Sequence, residues 1–257
     1  ALLGETLHWG PVVTLTIRDA DGSIVNMVEG TNQKGFNRIN WPLDYADRGG
    51  EKLNEEGPGY YGKAMVTPGT YTVTLAKVEN GVATTLAKPR EFDVTLLRKG
   101  ALEGAPGDII DDFRNTITSF RQDLKATGTV LGKQLKKVDA MHRAHNKAPR
   151  QNKSLRQDLY DAFVKLKALD TKLNGHPIKK EIGEKTDLTP QDGLVAAGAL
   201  SGTYGPTENL EGALERAKKQ LEMIKVELRI LADEALPALE RALERAGAPW
   251  VEGQGLV

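Results

Sequence analysis

Between Thr207 and Gly247 the apolar residues fall at Leu210, Leu214, Ala217, Leu221, Ile224, Leu228, Leu231, Ala235, Leu239, Ala242 and Ala246. Steps of three and four describe a heptad seam, and predict one long amphipathic helix whose stripe meets other helices. At a rise of 1.5 Å per residue it would run about 60 Å. Pro237 removes a backbone donor and crowds the carbonyl four residues back, which predicts a kink near Asp233 with the helix resuming beyond it. Gly247 ends the helix, with Pro249 just after.

The same spacing recurs earlier. Asp108 is an N-cap candidate with Asp111 three residues on. The stripe that follows is Phe113, Ile117, Phe120, Leu124, Thr127, Leu131, Val138 and Met141, interrupted by Gln134. Pro149 marks its end. Ser154 and Gln157 read as a capping box for a second helix, with Leu155, Leu159, Ala162, Leu166, Leu169 and Leu173 on one face and Asn174-Gly175 as its stop. Thr189, Pro190 and Asp192 open a short helix to about Leu200. Reversals at 146–154 and 174–206 make an antiparallel bundle of three to four helices.

Before residue 100 the period is two. Val13, Leu15 and Ile17 alternate with Thr14, Thr16 and Arg18. Asp19-Ala20-Asp21-Gly22 is a turn, and Ile24 to Val28 the next strand. Asn37, Ile39 and Trp41 alternate after Gly35, which predicts a strand with Ile39 and Trp41 pointing inward. Thr70–Val78 and Thr84–Leu86 flank the hairpin signal Asn80-Gly81, and Phe92, Val94 and Leu96 close the set. Residues 42–65 read as a long loop. The expected fold class is α+β: an antiparallel Ig-like or fibronectin type III-like β-sandwich over 1–100, followed by the helical bundle over 101–257, with a joint near 98–107.

Composition narrows the function classes. Lys plus Arg equals Asp plus Glu, 35 each, so no global charge points to nucleic acid or a membrane. Cysteine is absent, which excludes disulfides, thiolate metal sites and cysteine nucleophiles. No apolar run approaches the roughly 18 residues of a membrane span. No signal peptide is present, and the start at Ala1 rather than Met reads as a processed or excised piece. Charge is uneven within the helical part: residues 114–180 carry 16 Lys and Arg against 5 Asp, a net of +11, and residues 181–257 carry 8 against 14, a net of −6. The favoured reading is that acidic and basic helices lie side by side; the sharper one is a basic surface for an anionic polymer at the helix tip 142–156.

Motifs that carry chemistry are missing. There is no phosphate-binding loop, dinucleotide glycine fingerprint, His-Glu-x-x-His or Gly-x-Ser-x-Gly. His142 and His145 stand at a spacing that could serve one metal, but their flanks are basic (Arg143, Lys147, Arg150), and a solvated helix tip is the expected outcome. His8 and His176 have no evident partner. Asp19/Asp21 is explained by its turn and Glu55/Glu56 by a solvated loop, so neither is read as a hydrolytic pair. Catalysis by this chain alone, a cofactor and a metal are not expected.

Three segments carry a resemblance. Thr14-Leu15-Thr16-Ile17-Arg18-Asp19-Ala20-Asp21-Gly22, Gly35-Phe36-Asn37-Arg38-Ile39-Asn40-Trp41 and Thr67-Pro68-Gly69-Thr70-Tyr71-Thr72-Val73 resemble an Ig-like module of the flagellar hook-capping type. The last helix, with Leu236-Pro237-Ala238-Leu239-Glu240-Arg241-Ala242-Leu243 and Ala246-Gly247-Ala248-Pro249-Trp250, resembles the C-terminal tail of secreted bacterial sortilin-like proteins. In that family an Asp-box β-propeller precedes the tail, and many members are labelled glycosyl hydrolases. No Asp-box or blade repeat occurs here, so no catalytic residue carries over. The resemblance implies a secreted or periplasmic, non-catalytic accessory segment that braces an upstream propeller or presents it to a protein or carbohydrate. A glycoside hydrolase whose active site lies outside this chain is the alternative. Leu2, Leu3, Leu7, Trp9, Tyr60 and Tyr61 have no assigned place in the sandwich, and Trp9, Tyr60 and Tyr61 are the expected partner-binding residues.

Overall fold

A computed structural model describes residues 11–50, 64–98, 100, 104–198 and 204–251. The chain divides into two compact units, Ala1–Arg114 with Ser201–Gly205 and Asn115–Leu200 with Pro206–Val257. The fold class is α+β.

Among its described residues the first unit holds one antiparallel sheet of five strands: β1 Val12–Arg18, β2 Ile24–Gly30, β3 Gly69–Glu79, β4 Val82–Thr85 and β5 Arg90–Val94. β1 lies between β2 and β3, in register Leu15↔Val28 and Leu15↔Leu75. Asp19 closes the first hairpin, its Oδ1 accepting from the backbone N–H groups of Asp21 (3.1 Å) and Ser23 (2.8 Å). Asn80 and Gly81 close the second at φ 53° and 78°, the positive pair that a two-residue hairpin turn of right-handed strands requires. β4 pairs with the end of β3 and β5 with its beginning, so together they form one interrupted edge strand. Pro89 sits in the gap, where its missing N–H costs no ladder bond.

Inward residues Ile17, Val25, Val66 and Tyr71 form the core of this unit, with Val28, Trp41, Leu43, Tyr45, Phe92 and Val94 packed against it. The strand predicted at Asn37–Trp41 does not form. Asn37 instead turns its amide back on its own loop, donating to Gln33 O (2.9 Å) and Gly35 O (3.1 Å), and Gly35 takes φ 114°. Such local bonds offer the backbone an alternative to a ladder. Trp41 still reaches the core, half-buried, edge-on to Tyr71 and Phe92 at 6.0 Å each. The predicted loop 42–65 is partly ordered pairing: Tyr45 N donates to Ala64 O and Val66 N to Leu43 O, around a bridge of Asp44 with Met65. Leu96, read as part of the last strand, is 58 % exposed and lies past its end, because β5 stops at Val94.

The helices are α1 Gly107–His145, α2 Lys153–Asn174, α3 Pro177–Glu181, α4 Pro190–Gly198, α5 Glu208–Ile230 and α6 Leu236–Arg245. In the second unit the stripe of α1 is buried from Phe120 through Leu131 and Val138 to Met141, and that of α2 at every predicted position. Gly128 of α1 lies against Leu173 of α2, so these two run antiparallel. Lys225 bridges to Asp123 and Lys137 to Glu240, which puts α5 and α6 parallel to α1, while Lys172–Glu227 ties α2 to α5. Basic and acidic flanks do meet at these pairs, each a small stabilising term at the surface. α4 packs antiparallel on α5, Gly193 against Ala213 and Ala217. It opens at Thr189 as expected, and the start is a reciprocal cap, with Thr189 N donating to Asp192 Oδ2 (2.8 Å) and Asp192 N to Thr189 Oγ1 (3.2 Å). The cap of α2 is Asn152, not Ser154; its side chain accepts from Ser154 N.

The largest departure lies in the last helix. Between α5 and α6 the residues Leu231–Ala235 form a π-helical turn, and Leu236 N donates to Leu231 O, five residues back. Pro237 has no N–H for the carbonyl of Asp233, and the wider turn absorbs that loss. The extra residue shifts the seam. Buried residues past the turn are Leu236, Leu239, Leu243 and Ala246, whereas the predicted Ala235 and Ala242 are only half-buried. Gly247 then takes φ 69° and ends α6, with Ala248 N donating to Leu243 O and Gly247 N to Glu244 O.

Candidate functional site

Polar groups converge at one place in the first unit. The loop 43–45, the loop 65–67, β3 and the first turns of α1 bring together Tyr45, Thr67, Tyr71, Asp111 and Arg114. Thr67 Oγ1 donates to Asp111 Oδ2 (3.0 Å), Arg114 Nη1 to Met65 O (2.8 Å), and Tyr71 OH to Thr67 O (2.6 Å). Arg114 also stands 3.5 Å from Asp111 Oδ1. Burial pushes the Tyr45 hydroxyl well above its ordinary 10.0, and the charge of Asp111 adds to it. Tyr71 is raised too, first by burial. Both phenols are therefore protonated donors at neutral pH, and the carboxylate of Asp111 is occupied as an acceptor. The arrangement fastens the start of α1 to the loops beside the sheet; it holds no activated nucleophile with a base and an orienting group.

A second buried polar set lies nearby. Asn26 Nδ2 donates to Asp44 O (3.0 Å) and to Asp44 Oδ1 (2.9 Å), and Trp41 Nε1 donates to the same Asp44 carbonyl (3.0 Å). With Asn26 and Asp44 8 % and 5 % exposed, unmade bonds there would be costly, so this set fixes the approach of the loop to β2.

Because Tyr45 holds its proton more tightly in the folded chain than in the unfolded one, its contribution is complete below the ordinary tyrosine value and is lost as pH rises through the folded one. Stability is therefore expected to fall with rising pH above about 10. Tyr45→Phe should flatten that slope, measured as denaturant midpoints along an alkaline series. An unchanged slope would contradict the assignment.

The sequence-predicted partner residues Trp9, Tyr60 and Tyr61 lie outside the described residues, as do Leu2, Leu3, Leu7, His8 and the pair Glu55/Glu56. Asp19 is used by its turn, and His176 Nδ1 accepts from Lys179 N (3.4 Å). The histidine pair is not brought together as a solvated tip. His142 is exposed, but His145 is 0 % exposed, and neither of its ring nitrogens has a hydrogen-bond partner among the described residues. The heptad places His145 seven residues after the buried Val138, a signal that basic neighbours obscured. Among the described residues no group of three or more His, Cys, Asp or Glu is placed to hold a metal, and no helix is long and apolar enough to cross a membrane.

His145→Leu is expected to leave stability unchanged or to raise it by about 1–2 kcal/mol, since it removes buried polar atoms that make no bond. His142→Leu should change it by less than about 0.5 kcal/mol. Thermal unfolding of the two variants checks this; a strong loss in His145→Leu would mean that the imidazole has a bonding partner in solution.

Residues that sequence reasoning missed are apolar and exposed. Phe36 is 92 % exposed at the tip of the loop braced by Asn37, and Ile24 and Met27 of β2 are 43 % and 57 % exposed. The alternation of Asn37, Ile39 and Trp41 after Gly35 predicted a strand there and gave Phe36 no place of its own.

No family model, curated protein or solved structure matches this chain.

Proposed function

We propose that this chain is a non-catalytic accessory segment of a secreted or periplasmic protein, and that its β unit, of Ig-like or fibronectin type III-like sandwich type, provides a protein-contact surface. The observation that carries the reading is Phe36, 92 % exposed at the tip of a loop that Asn37 holds in shape. A large aromatic kept in water on a braced loop suits an anchor for a partner's pocket. Ile24 and Met27 are further exposed apolar residues of the same unit, on β2, whose pairing with β1 is antiparallel. The favoured partner is the β-propeller that the resemblance of the sequence implies, with Trp9, Tyr60 and Tyr61 as further contacts. Acidic groups support the same reading, since buried Asp44 and half-buried Asp111 and Glu240 each accept bonds that hold structure together.

The test is direct. The region preceding this chain in its open reading frame is expressed separately, and its binding to this chain is measured by calorimetry. Phe36→Ala is expected to weaken binding by about 2 kcal/mol or more, as truncation of an aromatic anchor does. Unchanged binding in the combined Phe36→Ala, Trp9→Ala, Tyr60→Ala and Tyr61→Ala variant, with the fold intact, would overturn the proposal. So would hydrolysis of a glycoside by this chain alone.

A further inference from the structure

The turn from α1 to α2 gathers cations. Lys147, Arg150, Lys153 and Arg156 follow one another at intervals of three residues and all are exposed. Arg143 is exposed as well and bridges Asp139, and Arg156 Nη2 donates to Gln151 Oε1 (3.0 Å). The end of α6 joins this group: Gly247 lies against Pro149, which brings exposed Arg241 and Arg245 to the same end of the bundle.

Stability accounts for the cations at the ends of α1 and α6 but not for those that open α2. Cations suit the C-terminus of a helix and oppose the N-terminus, where the helix dipole is positive. Yet the first turn of α2 contains no acid, while Lys153 and Arg156 stand at its opening. Lys153 and Arg156 therefore add to the positive potential of the helix end rather than offsetting it. A locally unfavourable arrangement of this kind fits a surface built for an anion.

The form of the patch selects among anions. Acids border it at once: Asp158 and Asp161 follow on α2 and Glu244 lies on α6, all exposed. A duplex carries a charge about every 1.7 Å and would meet these acids along its length. No Phe, Tyr or Trp interleaves with the cations between His142 and Arg156, and exposed Tyr160 stands one turn beyond them, so the turn itself offers single-stranded bases no stacking platform. A polymer with sparse charges, one or two per sugar repeat, meets the short cationic turn and clears its acidic border.

We propose that the Lys147–Arg156 turn, with Arg245 beside it, binds an acidic polysaccharide. The inference is independent of the contact surface assigned to the β unit. It is tested on the whole chain by calorimetric titration with hyaluronate and polygalacturonate, whose repeats each carry a single carboxylate, against dextran and a DNA duplex. At least one of the two acidic polymers should bind saturably, with affinity that falls as salt rises. The triple variant Lys147→Ser/Arg150→Ser/Lys153→Ser should bind about tenfold more weakly or worse, with its thermal midpoint nearly unchanged, because Lys153 opposes the N-terminus of α2 while Lys147 favours the C-terminus of α1. The single Arg150→Ser, in the turn itself, should show a smaller loss and covers the case of a triple variant that does not fold. Exposed Lys133→Ser/Lys136→Ser on α1 should leave binding within about twofold, as a local patch requires. Absence of saturable binding by both acidic polymers at low salt would overturn the proposal. Equal losses in the control pair, or tighter binding of the duplex, would do the same.

Discussion

Leu243→Ala is expected to destabilise the helical unit by about 2–5 kcal/mol, the range for truncating a fully buried leucine. Leu243 is 0 % exposed, as is Leu236 on the same seam, so little of the cavity can be filled by solvent-side relaxation. The neighbouring Ala242, which an unbroken heptad would put on the seam, is half-buried. Ala242→Ser should therefore cost less than about 1 kcal/mol. Denaturant unfolding followed by the far-ultraviolet helical signal separates the two registers. A small cost for Leu243→Ala beside a large one for Ala242→Ser would place the seam through Ala235 and Ala242 and remove the π-helical turn.

Trp41→Ala should cost the first unit about 3 kcal/mol, toward the lower part of the usual range for a large aromatic because the indole is half-buried. Its ring meets Tyr71 and Phe92 edge-on, a favoured geometry for aromatic pairs, and its Nε1 holds the Asp44 carbonyl. Removing it opens both the aromatic cluster and the polar set of Asn26 and Asp44. Trp41→Phe keeps most of the packing and loses the bond, so it should recover more than half of the loss. Tyrosine fluorescence during urea unfolding follows this unit; a cost below about 1 kcal/mol for Trp41→Ala would mean that the core closes without the indole.

What the sequence made legible follows from physical reach. Helical seams repeat over tens of residues, so Leu155 through Leu173 and Leu214 through Leu228 are buried as their spacing predicts. Caps and hairpin turns depend on two or three residues, and Thr189/Asp192 and Asn80-Gly81 were readable for that reason. The π-helical turn was only half readable. Pro237 announced a disturbance, but whether a helix bends or widens is decided by packing, and the choice of three leucines at 236, 239 and 243 over the smaller alanines at 235 and 242 was the available sign. Trp41 shows the opposite failure. Two alternations were enough to suggest a strand, yet Asn37 satisfied the backbone locally, and a ladder needs a neighbour that short spacing cannot name. The polar cluster on Asp111 escaped notice because its members are distant in sequence: Tyr45, Thr67 and Asp111 meet only after the fold is made. Exposed Phe36 escaped because alternation describes a strand's faces and says nothing of a loop's outward side.

The widened turn at Leu231–Ala235 also gives the last helix one residue more than its contacts need. Asp233 and Glu234, both exposed there, fill no space in the bundle. A chain lacking either would still present Leu228, Leu231, Leu236, Leu239 and Leu243 to the same neighbours, now in regular steps of three and four. Losing a residue one turn earlier or later would instead swing the following leucines by about 100° around the helix. A single deletion at this point therefore keeps the seam in register but sets the Pro237 ring against the carbonyl four residues back, whereas a deletion on either side loses the seam itself.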